Sequence, residues 1–244
     1  MNPEPTFTPT LDAPVQIDRH TGWAELTLNR PAQRNAIDLA MARALGDAIA
    51  SLEADDGVQV VVLRGAAGAF SSGLDLKAIQ AHPDPAGVSF AELWLRVHQG
   101  LMTSGKVWIV ALERHAINGA AALAIAGDWL VCGESAFLQI AEIKLGMAAP
   151  RNVAWLALRH SEAVAARLCL LGDRVGAAEL LRLGIATEVR PDDAVVARAR
   201  ELAQTVSAYP APGIAAVKRG LRAAHTRRAP GEWFDACTPM EAQP

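Results

Sequence analysis

The chain has 244 residues, 51% of them apolar, and a formal net charge of −3 with its six histidines neutral. That length fits one α/β domain, with or without a helical appendage, and that apolar share excludes disorder along the whole chain. Lysine and arginine are scattered, so no nucleic-acid surface is marked; the densest basic spot is Arg219, Arg222, Arg227 and Arg228, enough for one phosphorylated ligand at most.

Cys132, Cys169 and Cys237 lie far apart with no CxxC, which argues against a disulfide framework and for a reducing, cytoplasmic setting. Residues 1–14 carry prolines at 3, 5, 9 and 14 and no apolar leader core, and read as a loose tail. The most apolar stretch, Ala116 to Ala126, is too short for a membrane span and is interrupted by Asn118-Gly119.

Val15 to Asp18 and Trp23 to Leu28 alternate with period two around Arg19-His20-Thr21-Gly22 and predict a hairpin. After Pro31, the apolar stripe Ile37, Met41, Leu45, Ile49 and Leu52 predicts a helix capped by Asp38 and stopped at Asp55-Asp56-Gly57. Val58 to Leu63 and Val107 to Leu112 read as buried strands, with a helix from Phe90 to Met102 between them. A small-residue helix begins near Gly119, and short strands follow around Trp129–Val131 and Ala136–Leu138. From about Val153 helices dominate: Val153–Arg159, Glu162–Leu171, Ala177–Leu183, Asp192–Ala208 and Pro212–Ala224. The organisation is an N-terminal tail (1–14), an α/β core of strand–strand–helix units (15–190) and a C-terminal helical region (191–244).

The most informative stretch is Phe70-Ser71-Ser72-Gly73-Leu74-Asp75-Leu76, after the strand that ends at Arg64-Gly65. At a strand-to-helix turn the first helical amides have no internal partner, and the helix dipole favours negative charge there. Such a turn reads as half of an oxyanion hole, or as an ordinary glycine turn.

Together with four other segments in order, this loop resembles the crotonase, or enoyl-CoA hydratase/isomerase, family over Val15 to Lys218. The other segments are Leu28-Asn29-Arg30-Pro31 with Asn35-Ala36, Lys106 to Leu112, Gly119 to Asp128, and Glu142-Ile143-Lys144-Leu145-Gly146. The resemblance implies a crotonase-like α/β fold of repeated ββα units with a C-terminal helical region. It also implies a homotrimer or hexamer, and an acyl-CoA thioester substrate whose coenzyme A is part of the substrate, with no separate cofactor and no metal. Carried over by position, the oxyanion donors are the amides of Ser72 and Gly119. The substrate-binding loop is Gly73, Leu74, Asp75 and Leu76, with Arg34, Lys77 and Lys218 meeting the phosphates.

Hydratases of this family resemble one another in having two glutamates. The first falls on Ala122 here, and alanine moves no proton. The second falls on Glu142. Hydration is easiest with two such groups; double-bond migration needs one base. Ser72-Gly73-Leu74-Asp75-Leu76 and Leu145-Gly146-Met147-Ala148-Ala149-Pro150 are also similar to segments of Δ3,Δ2-enoyl-CoA isomerases, which lack the first glutamate. The expectation is a single-base isomerase with Glu142 catalytic. A hydratase-like or specialised crotonase reaction is the alternative, and a non-catalytic acyl-CoA binder, suggested by the short C-terminus, is the alternative of another class. Glu113-Arg114 reads as a paired structural charge, with Glu113 as a displaced second acid the other reading. The histidines show no metal-ligand spacing. Trp94, Trp108 and Trp155 read as core, Trp155 being close enough to the acidic segment to wall an acyl pocket.

Overall fold

The computed structural model describes residues 13–81 and 87–225, together with Glu232, Phe234 and Cys237. The predicted tail lies outside them except for Ala13 and Pro14, whose carbonyls accept from the side chain and backbone amides of Asn29. The C-terminal stretch from 226 onward, on which the shortened C-terminus was weighed, is otherwise outside the described residues.

Strands β1 (Val15–His20) and β2 (Gly22–Leu28) form the hairpin, and both run further into the turn than the sequence suggested. The reason is local: His20 pairs with Trp23 and stacks on it at 4.0 Å between ring centroids, so Thr21 and Gly22 alone turn the chain. Helix α1 (Leu39–Glu53) starts where Asp38 accepts from the Met41 amide. It buries Met41, Leu45, Ile49 and Leu52, each about 1.5–3 kcal/mol of transfer free energy.

Strand β3 (Val58–Gly65) leads through the Ser71–Asp75 loop into α2 (Leu76–Ala81). Helix α3 (Phe90–Thr103) opens with a reciprocal Ser89–Glu92 capping box. Then follow β4 (Val107–Leu112), β5 (His115–Ile117), α4 (Gly119–Ala126), β6 (Trp129–Gly133) and β7 (Phe137–Gln139). The remainder is α5 (Pro150–Arg159), α6 (Glu162–Leu171), β8 (Arg174–Gly176), α7 (Ala177–Arg182), β9 (Glu188–Arg190), α8 (Val195–Ser207) and α9 (Ala211–His225).

One sheet has the order β1-β2-β3-β4-β6-β9, parallel from β2 onward. The other, β5-β7-β8, is small. Strand alternation divides the core. Val61, Leu63, Val110 and Leu112 face α1, α3 and α4, whereas Val60, Val62, Ile109 and Ala111 face Val195, Ala199 and Ala203 of α8. The C-terminal region is thus packed onto the sheet through α8. Every residue of α4 is buried, as expected of a helix that is apolar all round, and its glycine and alanines let neighbouring elements approach closely. Among the described residues no helix is long and apolar enough to cross a membrane, and no cluster of His, Cys, Asp or Glu could hold a metal ion. The mixed α/β architecture with its helical C-terminal region matches the expected fold class.

Candidate active site

The loop after β3 is held from both sides. Asn35, fully buried, donates to the carbonyls of Ala66 and Ala69 at 3.0 and 2.7 Å and accepts from the Arg30 amide at 3.0 Å. Ser71 continues the small sheet by bridging to Ala116, and its hydroxyl donates to the Asn35 carbonyl at 2.7 Å. Gly73 follows at φ +96°, and a Cβ there would stand 2.5 Å from the Ile117 carbonyl oxygen. Only glycine lets the loop pass so close to the strand before α4.

The amides of this loop correct one expectation. The Ser72 N–H donates to the Arg34 carbonyl at 3.0 Å, and its hydroxyl to the Gln33 carbonyl at 3.3 Å. Ser72 therefore has no amide left for an oxyanion. Two residues on, Leu74 forms a parallel bridge with Ile37 in which the Ile37 amide donates to Gly73 O and the Asp75 amide to Ile37 O. In that pattern the bridging residue's own N–H points away from its partner strand. The Leu74 amide meets no protein acceptor among the described residues. Its side chain lies on Gly119: a Cβ on Gly119 would be 2.7 Å from Leu74 Cδ2. Gly119 is the first residue of α4, so its N–H has no acceptor inside the helix.

Asp75 caps α2 by accepting from the Ala78 amide at 3.1 Å and pairs with Arg30 at 3.4 Å. Leu76 and Lys77 are exposed beyond it, and Arg34 is exposed in a left-handed turn at φ 52°. Lys218 does not join them. It is buried, and its Nζ donates to Asp128 at 2.6 Å, in a group that also holds Arg159 and Arg222. Burial brings its pKa down to about 8 despite that partner. Expected as a phosphate contact, Lys218 is instead an internal ion-pair partner that ties α9 to the end of α4.

Glu142 begins a 3₁₀ turn (Glu142–Leu145) that starts three residues after β7. It is half-buried, and that burial raises its carboxyl above the usual carboxylate value; backbone hydrogen bonding and Asn152 pull the other way. Asn152 Nδ2 lies 3.3 Å from Glu142 Oε1 and 3.1 Å from the Asn118 carbonyl. The Asn118 side chain in turn accepts from the Ala141 amide at 2.8 Å. Residues 141 and 142 are thereby fastened to residue 118, next to Gly119. Leu74 lies against Gly119, and Asn152 links Glu142 to Asn118, the residue before Gly119. Sequence reading missed Asn118 and Asn152, whose signal was only an uncharged amide in each of two flanking segments.

Ala122, one turn past Gly119 in α4, is fully buried, and no residue of that helix is charged. Glu113 lies elsewhere. Its carboxyl is raised by burial and sits among Arg64, Glu25, Arg114 and Arg200 of α8. Glu25, 2% exposed, is paired with Arg64 at 3.1 Å and Arg200 at 2.6 Å. This charge group lies on the α8 face of the sheet, which favours the structural reading of Glu113. Trp155 is fully buried and donates its indole N–H to His98 Nδ1 at 2.9 Å, so it is core.

A mostly parallel sheet, a small second sheet, two open amides at a loop and a helix start, and one half-buried carboxylate are the features of this α/β protein. The chain belongs to the enoyl-CoA hydratase/isomerase family, whose profile matches residues 18–236. It is 33% identical over 217 residues to the enoyl-CoA hydratase EchA19 of Mycobacterium tuberculosis, covering 86% of this chain and 80% of that protein. It is 30% identical over 210 residues to the 1,2-epoxyphenylacetyl-CoA isomerase of Escherichia coli K12, covering 84% and 80%. Its structure resembles that of a monofunctional enoyl-CoA isomerase from M. smegmatis, with a TM-score of 0.75, 28% identity, and coverage of 90% of this chain and 97% of that one. Hydratases and isomerases are both among its relatives.

Proposed function

We propose that this protein is a Δ3,Δ2-enoyl-CoA isomerase that works with one carboxylate. The observation that carries the reading is Glu142 fastened beside two open amides, with fully buried Ala122 where a second acid would stand. Glu142 takes a proton from C2 of a 3-enoyl thioester. The C2–H electron pair enters the conjugated system, and charge builds on the thioester oxygen. The Leu74 and Gly119 amides hold that charge, a contribution of about 3 kcal/mol per donor in comparable sites. The protonated Glu142 then returns the proton to C4, and the double bond rests between C2 and C3. A raised pKa suits a group that must both take and give the proton near neutrality.

The loop Gly73 to Leu76, with Arg34 and Lys77, takes the CoA portion, its exposed cations meeting phosphate. Exposed Ile143, Leu145, Met147, Leu170 and Leu171 around the Glu142 turn and the end of α6 support assembly as a homotrimer or hexamer, which light scattering would test.

The deciding experiment incubates the protein with a 3-enoyl-CoA in deuterated water. Bond position and label are followed by NMR and mass spectrometry. Migration to the 2-enoyl product, lost in Glu142→Gln while acyl-CoA binding persists, supports the reading. Near-normal turnover in Glu142→Gln, or fast hydration of a 2-enoyl-CoA without migration, refutes it.

A further inference from the structure

Asn152 opens a question that the single-base reading leaves aside. It sits in the first turn of α5 and is 1% exposed, with its Oδ1 buried and without a protein partner. Burying an amide is unfavourable unless its hydrogen bonds are made. Its Nδ2 makes two, to the Asn118 carbonyl at 3.1 Å and to Glu142 Oε1 at 3.3 Å. Both neighbours are acceptors, which fixes the orientation of the amide: the nitrogen must face them.

The two bonds span the site. The Asn118 carbonyl also receives the Ala121 amide at 2.9 Å, so it belongs to the first turn of α4, whose next residue is Gly119. The Asn118 side chain holds the Ala141 amide. Two asparagines therefore fasten this turn to the start of α4, one through the side chain of Glu142 and one through the Ala141 amide just before it. On the Glu142 carboxylate the result is asymmetric. Oε1 is held, whereas Oε2 is buried with no protein partner.

We propose that Asn152 is a positioning residue that locks Glu142 against the start of α4 through Oε1 and leaves Oε2 as the oxygen that takes and returns the proton. The inference rests on the isomerase reading for the identity of the transferred proton, not for the geometry. The titratable group facing Glu142 from α6 is Cys169, whose thiol burial pushes up to about 11, so it stays neutral and adds no charge. Arg151 precedes Asn152 on α5, with its guanidinium over the Phe234 ring at 5.3 Å.

The test is the ionisation of Glu142 itself, read by carbon NMR of labelled glutamate carboxyls and assigned with Glu142→Gln. Asn152→Ala removes a donor to the charged form, and the Glu142 pKa should rise by about half to one unit. Asn152→Asp keeps the shape of the side chain, replaces the donor by an acceptor, and should raise it further. In double-bond migration of a 3-enoyl-CoA, kcat should fall about tenfold or more in both while KM stays within about twofold, since a displaced base slows the transition state without loosening the CoA grip. Circular dichroism and acyl-CoA binding check that the variants fold. A Glu142 carboxyl that titrates alike in wild type and both variants overturns the proposal, as does an unchanged kcat. The titration needs no turnover. It decides Asn152 even where the wild type moves no double bond, a result that would overturn the isomerase reading alone.

Discussion

Gly119→Ala is the sharpest probe of the two-amide arrangement. The new Cβ would stand 2.7 Å from Leu74 Cδ2 and 2.9 Å from its Cγ. Carbon atoms rest at about 3.5–4.0 Å, so Leu74 must retreat by about 1 Å. Overpacking of this kind costs about 1–3 kcal/mol, and alanine's better helix propensity returns up to about 1. The net loss of stability is therefore at most about 3 kcal/mol, a fall in Tm of no more than about 12 °C for a chain of this size. The rate should fall as well. Leu74 carries one of the two open amides, and a displacement of about 1 Å in a reacting geometry costs about a hundredfold. Stopped-flow measurement of double-bond migration would read kcat, and differential scanning calorimetry the stability. The control is the double variant with Leu74→Ala, which removes the obstructing side chain and keeps both amides. It should recover most of the lost rate. A double variant as slow as Gly119→Ala alone would refute the reasoning, because the slow rate would then not come from Leu74 being pushed.

Three further outcomes follow from buried polar groups. Glu142→Gln should be more stable than the wild type at pH 7: a carboxyl raised in the folded state confers stability below its unfolded pKa, near 4.5, which is lost as pH rises through the folded value. The difference in denaturant midpoint should vanish below about pH 4. Asn35→Ala leaves the Ala66 and Ala69 carbonyls and the Arg30 amide unpaired and should cost about 3 kcal/mol or more, seen as a Tm lower by about 6–12 °C. Fully buried His98 has its pKa lowered to about 3 by desolvation, so the unfolded chain binds its proton first as the solution is acidified. Stability should fall between pH 6.5 and about 3 at about 1.4 kcal/mol per pH unit from this group, and His98→Gln, which keeps an acceptor for Trp155, should reduce that slope in urea titrations.

The long elements were legible because their periods are strong. The α1 stripe from Met41 to Leu52 and the apolar runs of β3 and β4 needed no partner to be read. Of the three-residue strands only β7 was expected; β5, β8 and β9 are too short to show a period and take their form from the strands they meet. The site was legible as a set of segments but not as a set of atoms. Ser72 and Leu74 lie in the same loop, and which amide is open depends on Ile37 and Arg34 bonding to it from about forty residues away. Sequence reports side chains, whereas here the direction of a peptide decides. Lys218 fails for a related reason: a lone cation at the end of a chain gives no sign of Asp128, ninety positions earlier, waiting to bury it. Glu142 could be singled out because the expectation for it rests on a side chain and not on the direction of a peptide.

The burial of α4 also bears on which reaction is open to this chain. Residues 119–126 read GAAALAIA, and each is enclosed by neighbouring side chains. A helix of this kind can offer its first amide but no side-chain proton, and the proposed reading places the acid–base work on the turn at Glu142. One carboxylate can serve two positions only if the substrate presents both to the same oxygen. An allylic system does this, because C2 and C4 lie on the same side of a planar dienolate. Water addition does not, since the attacking oxygen and the proton at C2 need separate handling. The asymmetry at Glu142, with Oε1 tied to Asn152 and Oε2 buried without a protein partner, fits the proposed transfer of a proton by one oxygen over a short arc.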